Sequence, residues 1–343
     1  MSALLRRSAG ALLATLLLLV IAGCDGSSDS GEAGGSGGSS GAASQSGTRT
    51  VTDVEGTDVE VPASPQRVVA LSEPTLDGVL ALGVTPVGTI TGRGQSTVPH
   101  YLIGQAGDIP ILGGVAQPSY EAIAAAEPDL ILVDGTSLNN NPDAMAILRE
   151  IAPTVYTGYA GGDWKVNFGF VADALNLADQ AKQVVADYEA KAAAAKEQLA
   201  ATYGAKTFSI VRWQGGSASL ILKELPAGMA LADVGLARPP AQDRRGRGHS
   251  EPVSLENLAQ IDADYIFFGT LGGSSNDNPA AGGSSDEQGA EKALAAAEKV
   301  AGFTSLTAYQ EGHIIPVDGS LWTSTGGPLL MSGLIDSILE ALS

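Results

Sequence analysis

The chain has 343 residues, 44% of them hydrophobic, and a formal net charge of −19 set by 38 acidic against 19 basic side chains. So acidic a protein repels phosphate backbones, which argues against nucleic acid as a partner. The single cysteine, Cys24, rules out an internal disulfide and a thiolate metal cluster.

In chain order, the first feature is "MSALLRRSAGALLATLLLLVIAGC", where Arg6 and Arg7 precede an apolar stretch too short to span a membrane comfortably. Residues 1–23 read as an export signal. Ile21, Ala22, Gly23 and Cys24 resemble the lipobox of bacterial lipoproteins, which makes Cys24 the expected lipidation site; the alternative is a plain secretory signal with an incidental cysteine. Without the leader's two arginines the charge is about −21. Residues 24–47 form a Gly/Ser tract with no apolar side chain larger than alanine, which reads as a flexible tether.

"TVTDVEGTDVEVP" alternates about a Glu55, Gly56 turn signal, as an edge hairpin does. Strands and helices then alternate: "RVVAL", "PTLDGVLALG", "PVGTI", "SYEAIAAAE", "LILV", "PDAMAILREI", "PTVYT". A second series has the strands "FSIVRW", "SLILK", "YIFFG" and "HIIPV", with helices expected at "PAGMALADVG", "SLENLAQI", 289–300 and 327–342. Such alternation implies an α/β fold of two Rossmann-like lobes, each a parallel-rich sheet with helices on both faces. Between them, Ala181, Val184, Tyr188, Ala192, Ala195 and Leu199 recur at three- and four-residue steps in an alanine-rich segment closed by Gly204. That predicts one long interlobe helix over 178–204, with Asp187 and Lys191 able to pair on its surface. The domains are therefore an N-terminal lobe at 48–177, the helix, and a C-terminal lobe at 205–343. The Gly- and Ser-rich stretch beginning "GTLGGSSNDNP" reads as a surface insertion.

One pattern occurs in both lobes. "PSYEAIAAAEPDLIL" and "VSLENLAQIDADYIF" place Ser119 and Ser254 as helix caps, with Glu121 and Glu256 two residues on and 135 residues apart. A carboxylate in a first helical turn gains about 0.3 to 1 kcal/mol from the helix dipole, so the pair has a purely structural reading as well as a functional one. On the strand-end loops that line a ligand cleft in such lobes, Arg93 in "TITGRGQ", Arg212 and Trp213 at the end of "FSIVRW", and Trp322 in "GSLWTSTGG" are candidates. Arg238, Arg244, Arg245 and Arg247 fall within ten residues and suit an anionic ligand; a loop of solvated arginines is the other reading. Trp213 can equally be core, and Trp164 is expected to pack. His100, His249 and His313 show no metal-ligand spacing, so any iron is expected within a small molecule and no resident cofactor is expected. No phosphate loop, GxSxG motif or cysteine nucleophile points to an enzyme.

Taken together, the paired S-x-E motifs, "PQRVVALSEPTLDGVLALGVTPVG", "LGG" before "PSYEAIAAAEPDLIL", "IAPTV", the long helix and "GHIIPVDGSLW" resemble the periplasmic-binding-protein family that serves ABC importers of ferric siderophores, cobalamin and haem. The resemblance implies a ligand cleft between lobes joined by a single rigid helix, with modest closure on binding. It gives Glu121 and Glu256 the role of docking into arginine pockets of the permease, and Arg93 that of an arginine contacting a siderophore's iron-coordinating oxygens. The implied protein is a lipid-anchored, monomeric, non-enzymatic receptor for a ferric siderophore on the outer face of the cytoplasmic membrane. Its alternatives are a haem receptor with His100 or Tyr101 as axial ligand, a cobalamin receptor, an adhesin or scaffold without transport, and a two-lobed α/β enzyme.

Overall fold

A computed structural model of the protein describes residues 47–115, 117–138, 142–272 and 283–343. The export signal, Cys24, the tether and the centre of the expected insertion lie outside the described residues. The hairpin pairs Thr48–Thr52 with Asp58–Pro62, with Val51 opposite Val59.

In the N-terminal lobe four strands lie side by side in the order Gly88–Thr89, Val68–Ala70, Leu130–Val133, Thr154–Tyr156, all parallel. "VVA" and "LILV" are buried on both faces, which is why they read as unbroken apolar runs. The C-terminal sheet runs Glu251–Val253, Ser217–Leu220, Phe208–Gln214, Tyr265–Gly269, Ile314–Pro316. Its last three strands are parallel, but its first two pair antiparallel, so this sheet is mixed.

The second S-x-E segment departs from expectation. Leu255–Ile261 is a 3-10 helix, broken at Asn257, whereas Tyr120–Ala125 is α-helical. The cause lies in the apolar spacing: Leu258 and Ile261 are both buried and three residues apart, the period of a three-residue turn.

The interlobe helix covers Ala178–Tyr203, about 39 Å at the standard rise. It buries Ala181, Tyr188, Ala192, Ala195 and Leu199, with Val184 partly buried. Lys191 does not pair with Asp187. It spans to the C-terminal helix Pro328–Ala341, meeting Asp336 at 2.6 Å, while Asp187 accepts from Gln183. This helix, Val68 and Leu132 of the first lobe, and Phe267, Trp322 and Leu334 of the second belong to one continuous core. Moving one lobe against the other therefore has to shear close-packed side chains, which favours small motions over wide ones.

Asp77, in the helix Glu73–Ala81, fastens the lobes at one further point. Its carboxyl oxygens accept the backbone N–H groups of Leu329 and Leu330 at 2.8 Å each, capping the C-terminal helix, and Tyr101 donates its hydroxyl at 2.9 Å. Burial pushes the Asp77 carboxyl up to about 6, against the pull of those N–H donors. A folded-state value above the unfolded one means that the folded protein binds the extra proton. The associated stability is full below about pH 4 and is lost as pH rises to about 6, on the order of 3 kcal/mol. Asp77→Asn carries no such titration. Urea unfolding should show wild type losing stability relative to this variant between pH 4 and pH 7; parallel profiles would contradict the account.

Candidate ligand-binding site

The site begins where "RVVAL" runs into its helix. Ser72 caps that helix, its hydroxyl accepting Thr75 N–H at 3.1 Å while Thr75 Oγ1 accepts Ser72 N–H at 3.0 Å. This fixes Glu73 in the first turn, 2% exposed and facing the other lobe. One of its oxygens accepts the backbone N–H of Arg93 at 2.7 Å; the other accepts the hydroxyls of Ser324 at 2.8 Å and Thr325 at 3.3 Å. A single carboxylate thus sets the Arg93 loop of one lobe and the 324–325 turn of the other.

Arg212 comes from the opposite side, at the end of the strand Phe208–Gln214. It donates to Ser250 Oγ at 3.1 Å and to the Thr323 carbonyl, while its buried Nε has no partner among the described residues. Burial brings its guanidinium down to about 10; the charge of Arg93 acts in the same direction and that of Glu73 against it. His249 is lowered as well, first by burial and then by Arg93 and Arg212. Arg93 of one lobe and Arg212 of the other are therefore near enough to act on each other electrostatically, and Glu73 acts on Arg212.

Beside Glu73 a small open cleft is lined by Asp134, Thr136, Tyr159 and Asn167 of the first lobe and by Pro226 and Thr325 of the second. Asp134 follows the strand Leu130–Val133. One of its oxygens accepts both Thr136 N–H (2.9 Å) and Thr136 Oγ1–H (2.6 Å), and Oδ2 has no partner among the described residues. Burial raises its carboxyl above the ordinary range. The lobes meet on either side of this space. A Cβ on Gly161 (φ +71°) would lie 2.3 Å from Gly248 Cα, and one on Gly94 (φ +75°) would lie 2.2 Å from the Leu271 carbonyl oxygen. Only glycine allows backbones to approach so closely.

Several expected site residues lie elsewhere. Trp213 is core, stacked on Phe268 at 5.9 Å and edge-on to Phe303 at 5.7 Å. Successive strand residues face opposite ways, so Arg212 and Trp213 cannot both reach the cleft. Trp322 is also core: Asp318 caps the short helix Gly319–Trp322, and the indole stacks on Phe267 at 4.0 Å and donates to Ser337 at 2.9 Å. Trp164 packs edge-on to Tyr188, as expected. The arginine cluster divides. Arg238 is buried and donates to the Ile221 carbonyl and Gln242, Arg244 forms a two-pronged pair with Glu251, and Arg245 and Arg247 are exposed on the loop carrying His249. His100 binds Asp318 at 2.6 Å, and Tyr101 is engaged with Asp77, with burial raising its hydroxyl far above the usual range. Asp318 engages only Nδ1 of His100, which leaves the ring's Nε2 open.

Glu121 and Glu256 are exposed, one in each lobe, in the first turns capped by Ser119 and Ser254. Glu73 and Asp134 were not singled out from sequence. Asp134 was within reach of such reasoning, since a carboxylate directly after the buried strand "LILV" stands on the rim where α/β lobes bind ligands.

Among the described residues no group of three or more His, Cys, Asp and Glu side chains could hold a metal ion, and no helix is long and apolar enough to cross a membrane. Residues 68–321 match the family model described as periplasmic binding protein. The chain is 30% identical over 300 residues to the probable siderophore-binding lipoprotein YfiY of Bacillus subtilis, covering 86% of this chain and 88% of that one. It is 27% identical to the iron(3+)-hydroxamate-binding protein FhuD of the same organism, over the full length of both. Staphylococcus aureus SirA, solved in complex with staphyloferrin B, superposes with a TM-score of 0.70 at 25% identity, over 86% of this chain and 98% of that one.

Proposed function

The chain belongs to the periplasmic binding protein family, and from that premise we propose that it captures a ferric siderophore in the cleft between its lobes and delivers it to the permease of an ABC importer. The observation that carries this reading is the buried Glu73 carboxylate, which bonds to the Arg93 loop of one lobe and to Ser324 and Thr325 of the other, with the buried guanidinium of Arg212 coming from the second lobe. Guanidiniums held in a partly desolvated cleft suit the anionic oxygens with which a chelator surrounds Fe(III). The iron travels as part of the chelate and the protein performs no chemistry on it, which fits relatives named as binding proteins.

Cys24 is the lipid attachment point in this reading, and the Gly/Ser tract lets the lobes stand off the outer face of the cytoplasmic membrane. Names such as siderophore-binding lipoprotein among the relatives support that placement. Glu121 and Glu256 form the two-point handle for the permease, and the receptor acts as a monomer. Calorimetric titration of the lipid-free protein with ferric hydroxamate, carboxylate and catecholate chelates tests the reading: one saturable site per chain is expected, and silence across all three classes would overturn it.

A further inference from the structure

We infer that Glu224 is an autoinhibitory latch: its buried carboxylate holds the loop 246–248 of the second lobe against the first, and a ligand enters the cleft when that loop lets go. This rests on reading the cleft as a ferric-siderophore site.

The loop is pinned at its base. Lys223 Nζ meets Asp243 at 2.8 Å, the Lys223 N–H donates to the Arg244 carbonyl at 3.3 Å, and Arg244 pairs with Glu251. Beyond Arg244 the side chains of Arg245, Arg247 and His249 are exposed, and two glycines alternate with them. Gly246 donates its N–H to Glu224 Oε2 at 2.6 Å, and Gly248 donates its N–H to Oε1 at 3.2 Å. Glu224 is 2% exposed, and the buried Arg238 supplies a balancing charge. Burial brings the Arg238 guanidinium down to about 10, while Asp243 and Glu224 act against that shift. Both loop positions suit glycine: a Cβ on Gly246 would lie 2.7 Å from Glu224 Oε1, and Gly248 has φ +74°.

What the latch holds is a contact between the lobes. A Cβ on Gly248 would lie 2.9 Å from the Ala160 carbonyl oxygen, and Ala160, Gly161 and Gly162 line the cleft. Pro226, two residues beyond Glu224, lines it from the other lobe. The cleft is small as it stands, whereas a bound molecule of drug size fills on the order of several hundred Å³. A wide swing of the lobes would shear the core they share, so the room comes from the loop, which Glu224 ties down by two hydrogen bonds. The latched state competes with the ligand. Apparent affinity then falls below the intrinsic value by the fraction of molecules whose loop is released.

The test compares wild type with Glu224→Gln, which keeps the size of the side chain and sets an amide donor against one of the two glycine N–H groups. Ferrichrome, ferric citrate and ferric enterobactin are titrated by calorimetry, and the rates for the tightest binder are followed through the emission of Trp164, which lines the cleft. Glu224→Gln should bind about fivefold tighter or more through faster association, with dissociation within about twofold of wild type. Trypsin should also cut the ligand-free variant faster after Arg247, because cleavage follows the population of the released loop. A residue that only supports the fold would give a weaker complex instead. An unchanged association rate, a loss of affinity, or tryptic cleavage equal to that of wild type would overturn the inference. Gly248→Ala leaves Glu224 in place and sets a Cβ against the Ala160 carbonyl; it should show the same faster association, and it decides if Glu224→Gln fails to fold. Should none of the three chelates bind, the siderophore reading fails, and the tryptic comparison, which needs no ligand, still decides the latch.

Discussion

Arg212→Met is expected to weaken ferric-chelate binding by about a hundredfold or more, while leaving the melting temperature of the ligand-free protein unchanged or raised. The two effects have a common origin. Arg212 is 8% exposed, its guanidinium is brought down to about 10 chiefly by burial, and one of its nitrogens has no partner among the described residues. In the empty protein the charge is costly to keep. A methionine of similar length removes the desolvation penalty and loses two hydrogen bonds, to Ser250 and to the Thr323 carbonyl, each worth about 1.5 to 3 kcal/mol because the donor is charged. Those terms nearly cancel. With an anionic chelate in place the balance changes, because the complex loses a charge-assisted contact with no replacement. Thermal melts alongside calorimetry separate the two effects. A large loss of stability with affinity retained would make Arg212 a structural residue.

Reversal of both surface carboxylates, Glu121→Lys with Glu256→Lys, is expected to reduce uptake of the ferric chelate by cells to near background without changing the affinity of the purified protein. Both side chains are exposed and lie in first helical turns, where a cation in place of an anion forfeits about 0.3 to 1 kcal/mol of dipole stabilisation per site. That is too little to unfold the lobes. Docking is different, since like charges facing an arginine pocket cost several kcal/mol in association. Each single reversal should give a partial loss, because one point of a two-point handle survives. Undiminished uptake by the double variant would remove these residues from docking and favour an adhesin or scaffold.

The two-lobed plan was legible because it rests on local patterns. "LILV" and "YIFFG" announce buried strands by unbroken apolar runs, and the stripe from Ala181 to Leu199 announces the interlobe helix by its period. The second S-x-E segment was misjudged as α-helical because one turn of apolar spacing at Leu258 and Ile261 fits a helix of 3.6 residues nearly as well as one of three. At the site, sheet topology fixes where the strand ends lie, so Arg93 and Arg212 could be placed at strand ends from the sequence. The tryptophans were misplaced. Whether Trp213 or Arg212 faces the cleft depends on strand phase, and the direction of Trp322 depends on the cap supplied by Asp318. Glu73 stayed hidden for another reason. Its partners Ser324 and Thr325 are some 250 residues away, and nothing local distinguishes it from any other acid in a first helical turn.

The central claim is that the cleft holds a ferric chelate, and calorimetric titration of the lipid-free protein with iron-loaded and iron-free forms of one chelator tests it most directly. The account predicts one site per chain for the loaded form, weaker binding of the iron-free form, and about a hundredfold loss for the loaded form in Arg212→Met. No heat with any ferric chelate, or equal affinity for wild type and Arg212→Met, would contradict it.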